Sequence, residues 1–306
     1  GKKIRIVGDY DIDGVCSTYI LLQAFERLGS DVDFEIPDRI KDGYGINESI
    51  IEQAHADGVE VILTCDNGIS AFHQVELAKK YGMTVVITDH HEVPLDGEKE
   101  KIPPADAVID PKQADCPYPF PEICGAVVAY KLVQVLYARR GVPQMEWLDL
   151  LEFAAIATVG DVMKLQDENR ILVKYGLKKM AQTKNLGLRR LAEKNNLDLG
   201  AITAYHIGFV IGPCLNAGGR LKTAKEALAL LRAQSEEEAE RLAEELKELN
   251  DTRKDMTEQG TEAAKLQVES WYQKDKVLVV FLPECHESLA GIIAGRLREY
   301  YQKPAI

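Results

Sequence analysis

Three short stretches of the chain concentrate the side chains best suited to chemistry. Asp9-Tyr10-Asp11-Ile12-Asp13-Gly14 follows the apolar run Ile4–Val7, Asp66-Asn67-Gly68 follows Val61–Cys65, and Asp89-His90-His91 follows Val85–Thr88. Each run reads as a strand, and in open α/β sheets ligands bind beyond the carboxyl ends of the strands. Carboxylates gathered at one such edge repel one another, and a divalent cation is the simplest remedy. Carboxylate oxygen suits Mg²⁺, Mn²⁺ and Ca²⁺, while imidazole favours Mn²⁺ and later metals. The mixed Asp/His set therefore points to Mn²⁺, with Mg²⁺ as a substitute. Two such ions ~3.5–4 Å apart would activate a water and clamp a phosphoryl oxygen without a covalent nucleophile.

Taken singly, each piece has a plainer explanation. An Asp after a strand is commonly a turn residue or a helix cap, Asn-Gly is a turn signal, and paired histidines on a loop are often surface residues. The conjunction of three strand ends carries the metal reading. No G-x-G-x-x-G follows a strand and no G-x-x-x-x-G-K-[ST] occurs, so dinucleotide and NTP-hydrolysing sites are not indicated.

The elements that must position these residues alternate. Strand patterns at Ile4–Val7, Val32–Ile36, Val61–Thr64, Thr84–Thr88 and Ala107–Ile109 are separated by helical patterns at Val15–Leu28, Asn47–Ala56 and Ala71–Tyr81. This predicts an α/β fold with a mostly parallel sheet and flanking helices. A proline-rich passage between Pro103 and Pro121 leads into a helical subdomain from about Ile123 to His206. Residues 224–272 are rich in Ala, Leu, Glu and Lys and predict one long helix, or two broken near Gly260, with a buried Leu242/Leu246/Leu249 stripe and an otherwise solvated face. Lys276–Phe281 reads as a new strand and Ser288–Tyr300 as a new helix. The expected organisation is a catalytic domain over residues 1–222 (sheet region over 1–122, helical region over 123–222), a connecting helix over 223–273, and the start of a second α/β domain over 274–306. Its abrupt stop suggests an excerpt of a longer protein.

Bulk properties narrow the class. The 306 residues are 46% hydrophobic and 28% charged, as in soluble domains. No apolar run reaches the ~18 residues of a membrane span, and no signal peptide is evident, so no membrane partner is expected. Six cysteines without a C-x-x-C pair suggest a reducing, cytoplasmic setting. The net charge of −12 does not favour non-specific nucleic-acid binding, but Ser235–Asn250 alone carries −5 of it (seven Glu against Arg241 and Lys247), leaving room for a local basic groove.

The three acidic motifs resemble the first three motifs of the DHH phosphoesterases, and Ala157-Thr158-Val159-Gly160-Asp161 fits the fourth. Within that family, Ile36–Gly45, Gly212–Leu221 and His286–Leu297 are similar to segments of the exonucleases specific for single-stranded DNA, the last opening a DHHA1 domain. The resemblance implies Asp11, Asp13, Asp66, His90 and Asp161 as metal ligands of two ions, with Asp66 bridging. Asp66, Asp89, His90 and His91 would be the catalytic set, with Asp9 supporting it and Asp89 and His91 behind the ligands or against substrate. Arg39, Asn216 and Arg220 would hold phosphate, helped by the free N–H groups of residues 15–18, and His286 is a weaker candidate. The implied activity is metal-dependent 5′→3′ degradation of single-stranded DNA, with a 5′ phosphate, to mononucleotides in repair and recombination, with single-strand-binding protein or a helicase as partners.

Two positions depart from the family pattern. Val7 stands where many members have a metal-binding His, and Cys214 where an Arg is usual. His206 reads as structural, and His55 and His73 as exposed helix residues. Two alternatives remain: a hydrolase of short oligonucleotides, cyclic dinucleotides or pyrophosphate, and a non-catalytic scaffold of replication or repair.

Overall fold

In the computed structural model, which describes residues 1–306, four short apolar strands line up side by side because each of the first three is followed by a helix that returns over the sheet. β1 (Ile4–Val7), α1 (Ile12–Arg27), β2 (Val32–Glu35), α2 (Glu48–Ala56), β3 (Val61–Cys65), α3 (Phe72–Lys80) and β4 (Thr84–Thr88) alternate. A short hairpin, β5 (Leu95–Asp96) with β6 (Lys99–Glu100), precedes the last strand, β7 (Ala107–Ile109). The main sheet is wholly parallel in the order β2-β1-β3-β4-β7, so β1, β3 and β4 are neighbours and their carboxyl ends share one edge.

Helices cover both faces. Ile50, Ile51 and Ala54 of α2 and Val75 and Ala78 of α3 pack with Val7, Ile62, Val85 and Ile87 on one face. The opposite face carries Ile6, Leu63 and Cys65 into the largest core, with α1 and the helical region: α4 (Gly125–Arg140), α5 (Gln144–Leu148), α6 (Leu151–Gly160), α7 (Asp167–Met180) and α8 (Leu186–Lys194). A short turn of helix, α9 (Ala204–His206), widens into a π-helical turn at Ile207–Ile211 and continues as α10 (Gly212–Leu221). Val7 is fully buried in the sheet, and His206 closes a capping box with Thr203, as expected of a structural histidine. His55 stacks on Tyr81, and His73 is exposed near Glu48.

The connecting segment differs from expectation in its break. α11 (Lys225–Arg232) ends at Ala233, and the 32-residue α12 (Glu236–Gln267), capped by Ser235, runs through Gly260 without interruption. Gly260 is where Ile293 of α13 (Glu287–Tyr301) presses on the helix: a Cβ there would lie 2.5 Å from Ile293 Cδ1. Between α12 and α13 no full strand forms. Lys276–Phe281 is reduced to a bridge in which Leu278 pairs in parallel with Ala305.

Candidate active site

The loop after β1 is built by its own carboxylates. Asp11 caps α1, its Oδ1 accepting from the Asp13 and Gly14 N–H groups at 2.9 and 3.1 Å. The helix thus opens at Ile12 rather than Val15, and the N–H groups of residues 15–18 lie inside it, where they cannot hold an anion as expected from sequence. Asp13 points across to α4, accepting from Gly125 and Ala126 N–H at 2.7 and 2.8 Å. Those two N–H groups stand at the positive end of the α4 dipole.

After β3, Asp66 sits in the left-handed region at φ 61°, a costly conformation for a residue with a side chain. Its neighbour Asn67 holds it there: Nδ2 donates to the Val7 and Cys65 carbonyls and Oδ1 accepts from Ile46 N–H. The Asn-Gly pair is therefore a strut between β1, β3 and the loop after β2, not a hairpin turn.

These supports bring the acids together with His90. The His90 Nε2 lies 3.1 Å from Asp66 Oδ1, 3.4 Å from Asp13 Oδ2 and 3.8 Å from Asp161 Oδ2, the last at the C-cap of α6. Three groups could each offer atoms within 4.8 Å of one another: Asp13/His90/Asp161, Asp66/His90/His91 and Asp9/Asp11/Asp66. Asp9 was expected behind the ligands or against substrate; the structure places it level with Asp11 and Asp66, because Gly14 lets α1 start directly against the Asp9 backbone. Asp66 and His90 each belong to two of the groups.

Electrostatics show what this crowding costs. Burial and the Asp11 charge raise Asp9 to about 7, and burial with Asp13 and Asp11 raises Asp161 to about 7. Burial and four neighbouring carboxylates push Asp66 well above the ordinary carboxylate range, and burial pushes His90 down. Asp66 Oδ1, Asp9 Oδ2 and His90 Nδ1 are buried without a hydrogen-bond partner. Hard anionic oxygens and an imidazole, left without partners and converging, fit a divalent cation.

Asp89 takes no place in these groups. Its oxygens accept from the backbone of Ile69, His90 and His91 and from the His91 ring at 2.7 Å. Although burial opposes it, the His91 bond keeps Asp89 below its usual range, and Asp89 in turn raises His91. Asp89 thus orients the histidine pair. Tyr44 was not anticipated: its hydroxyl donates to the Asp66 carbonyl at 2.7 Å and lies 3.2 Å from His91 Nε2. The signal was available in Gly43 and Gly45, which flank it at positive φ and turn it inward.

Beside the acids lies a cavity of about 450 Å³ lined by Arg39, Ile40, Arg220, Glu287, Ser288 and Gly291, among others. Arg39 stacks over Tyr10 at 4.0 Å, and Arg220 donates to the Ser288 carbonyl at 2.9 Å. Asn216 has a different task from the one expected: its Oδ1 accepts from Ile12 N–H at 2.8 Å, tying α10 to the acidic loop. Gly219 allows that approach, since a Cβ would lie 2.2 Å from the Tyr10 carbonyl. His286 is not at the acids; it bonds Ser288 Oγ at 2.8 Å and lines a separate cleft between α12 and α13. Cys214 is fully buried, which removes it from any phosphate contact.

A parallel sheet with acids and a histidine pair at its carboxyl edge is the arrangement that a known family shares. The model of the DHH family, N-terminal domain, matches residues 3–158, and the chain belongs to that family. Along its whole length it is similar to the single-stranded-DNA-specific exonucleases RecJ of Bacillus subtilis, at 39% identity, and Escherichia coli, at 36%. It spans 37% and 55% of those proteins. A crystal structure of exonuclease RecJ bound to manganese superposes with a TM-score of 0.86 at 34% identity, covering 100% of this chain and 75% of that one. RecJ of Thermus thermophilus in complex with Mn²⁺ gives 0.84 at 32% identity, over 100% of this chain and 43% of that one. No helix of the chain is long and apolar enough to cross a membrane.

Proposed function

We propose that the chain is the catalytic portion of a metal-dependent exonuclease that removes nucleotides from the 5′ end of single-stranded DNA. The carrying observation is the convergence of Asp13, Asp66 and Asp161 on His90 Nε2, beside the Arg39/Arg220 cavity. Asp11, Asp13, Asp66, His90 and Asp161, with Asp9 added, would hold Mn²⁺ or Mg²⁺, two ions sharing Asp66. When bound, the ions supply positive charge to the phosphoryl oxygens and make a water more acidic.

The chain's own residues do the rest. Arg39 and Arg220 present guanidinium groups, which suit phosphate by geometry and permanent charge, and would hold the 5′-terminal phosphate. Tyr10 under Arg39 and the Ser288 carbonyl on Arg220 fix their direction. Asp89 anchors His91 Nδ1, leaving a ring that keeps a proton more readily than a free imidazole and can give it to the departing oxygen. The buried strut from Asn67 holds Asp66 in its strained conformation, so the acids need not reorganise during the reaction. The setting would be the cytoplasm, in repair and recombination, consistent with six free cysteines. Single-strand-binding protein or a helicase would present the strand.

The test uses the full-length protein and an Asp66→Ala variant with 5′-phosphorylated single-stranded DNA under Mn²⁺, Mg²⁺ or EDTA. Mononucleotide release by the wild type with metal, abolished by the substitution, is expected. Hydrolysis confined to dinucleotides or pyrophosphate would move the function to a small-substrate hydrolase, and no hydrolysis at all would leave a scaffold.

A further inference from the structure

Arginines that fold into partial burial need an anion nearby, because a half-desolvated charge without a partner is costly. Arg5, Arg189, Arg190 and Arg232 obey this, each with an Asp or Glu within hydrogen-bond reach. Three other half-buried arginines, Arg39, Arg220 and Arg253, have no carboxylate within 4.0 Å, although the chain carries a surplus of acids. Two of them line the cavity beside the acidic cluster. The third lies on α12, which packs against both α10 and α13.

The surroundings of Arg253 hold it in place without neutralising it. One terminal nitrogen donates to Oδ1 of the buried Asn250 at 2.9 Å, and Nε is buried with no partner. Its neighbours add to the deficit: burial, then Arg39 and Arg253, push Arg220 below its ordinary value, and burial and Arg296 do the same to Arg253. Lys254, the next residue, is paired with Asp251, so the missing partner is particular to Arg253 and not to that stretch of helix. The groups of opposite tendency that act on it are the thiol of Cys214, itself pushed up by burial, and Asp251, which is already paired with Lys247 and Lys254.

We propose that Arg253 is a third phosphate-binding guanidinium, supplied by the connecting helix, which contacts a phosphate of the strand held by Arg39 and Arg220. The proposal rests on the nuclease reading above and deepens it. It gives α12 a role in substrate binding as well as in spacing two domains. Charge-assisted contact of this kind is distance-sensitive and fits a phosphate oxygen better than a base edge.

The test measures binding of a 5′-phosphorylated oligothymidylate to the full-length protein in EDTA, across a range of salt, for the wild type, Arg253→Gln and Arg253→Lys. Loss of a hydrogen bond to a charged group predicts roughly 10-fold or weaker binding for Arg253→Gln. Loss of one phosphate contact also predicts that its slope of log K against log salt shrinks by about 0.7. Arg253→Lys keeps the slope. Repeating with a 5′-hydroxyl strand assigns the phosphate: a defect only with the phosphorylated strand marks the terminal group, and an equal defect marks an internal one. An unchanged slope in Arg253→Gln, with the wild type binding in a salt-dependent way, overturns the proposal and leaves the nuclease reading intact. An equal loss in Gln and Lys variants with a lower Tm and no slope change would make Arg253 a packing residue. A wild type that binds no single strand removes both readings together.

Discussion

At Gly125 the difference of one methyl group decides whether the acidic cluster can form. The residue is the first of α4, where alanine would ordinarily favour the helix. Here a Cβ would lie 2.7 Å from Asp66 Cβ and 2.9 Å from its Cα, and neither atom belongs to a flexible side-chain end. Gly125→Ala must therefore move α4 or Asp66. Moving α4 breaks the bonds from Gly125 and Ala126 to Asp13. The expected result is a loss of about 1–3 kcal/mol in stability and a fall in Mn²⁺ affinity of about 10-fold or more, read by thermal melts and by Mn²⁺ titration. An alanine variant as stable as the wild type with the same affinity would show that α4 does not press on Asp66. At this scale the acids were legible, because Asp and His at three strand ends have few other uses in combination. What the sequence hid was their support. Gly125, Asn67 and Tyr44 carry no chemistry of their own, and their roles arise only from contacts between residues distant in the chain. Asn216 misled for the same reason, since an amide near an arginine suggests phosphate until its partner, Ile12 N–H, is seen.

At the scale of elements, α6 carries an acid that the site does not use. Glu152 is buried in the first turn of that helix, accepting from the Thr183 hydroxyl through Oε1 while Oε2 has no partner. Burial raises it to about 7, from 4.5. Its folded form thus keeps a proton that the unfolded chain gives up near pH 4.5. The stability this contributes is present in full below that pH and is lost as pH rises toward 7, by at most about 3 kcal/mol. Glu152→Gln, which keeps the hydrogen-bonding shape without an ionisable group, is expected to gain on the wild type between pH 5 and 8. Parallel pH profiles for the two proteins in urea melts would show that Glu152 is ionised in the fold. Element type was readable for nearly all of the chain, because apolar runs of four or five residues alternate with long amphipathic ones. The breaks were not. Gly260 suggested an interruption that the helix does not make, because Ile293 fills the space left by the missing side chain. The true break at Ala233–Ser235 is marked only by the Ser235 cap. The π-helical turn at Ile207–Ile211 leaves no pattern a 3.6-residue period can detect.

At the scale of the molecule, acidic charge and the proposed nucleic-acid binding are reconciled by where the acids are spent. The glutamates that open α12 meet α8: Arg189 and Arg190 reach Glu236, and Lys194 pairs with both Glu240 and Glu244. The segment expected to be mostly solvated is in good measure a charged seam between two helices. Arg39 and Arg220 instead line a cavity with Glu287 and Ser288 of α13. That last unit is held lightly. Its core has four buried residues, Ala264, Leu289, Ile293 and Leu297, against 44 in the main core, and it meets the rest of the chain through Ile293 on Gly260, the Arg220–Ser288 bond and the bonds of Phe281, Tyr301 and Lys303 to Gln267, Glu269 and Gln273. Regions with few buried apolar contacts open at lower free energy than the core that supports them. Gly260→Leu isolates this hinge. In an exposed helix the change would stabilise α12 by up to about 1 kcal/mol, but here the new side chain must displace Ile293. Hydrogen exchange is expected to quicken across residues 287–301 while β1, β3 and β4 keep their protection. Single-strand affinity falls with it, because Arg220 loses its anchor on Ser288. Uniform loss of protection across the sheet would instead show that α13 and the main core open as one unit, and the phosphate cavity would then be as rigid as the acids beside it.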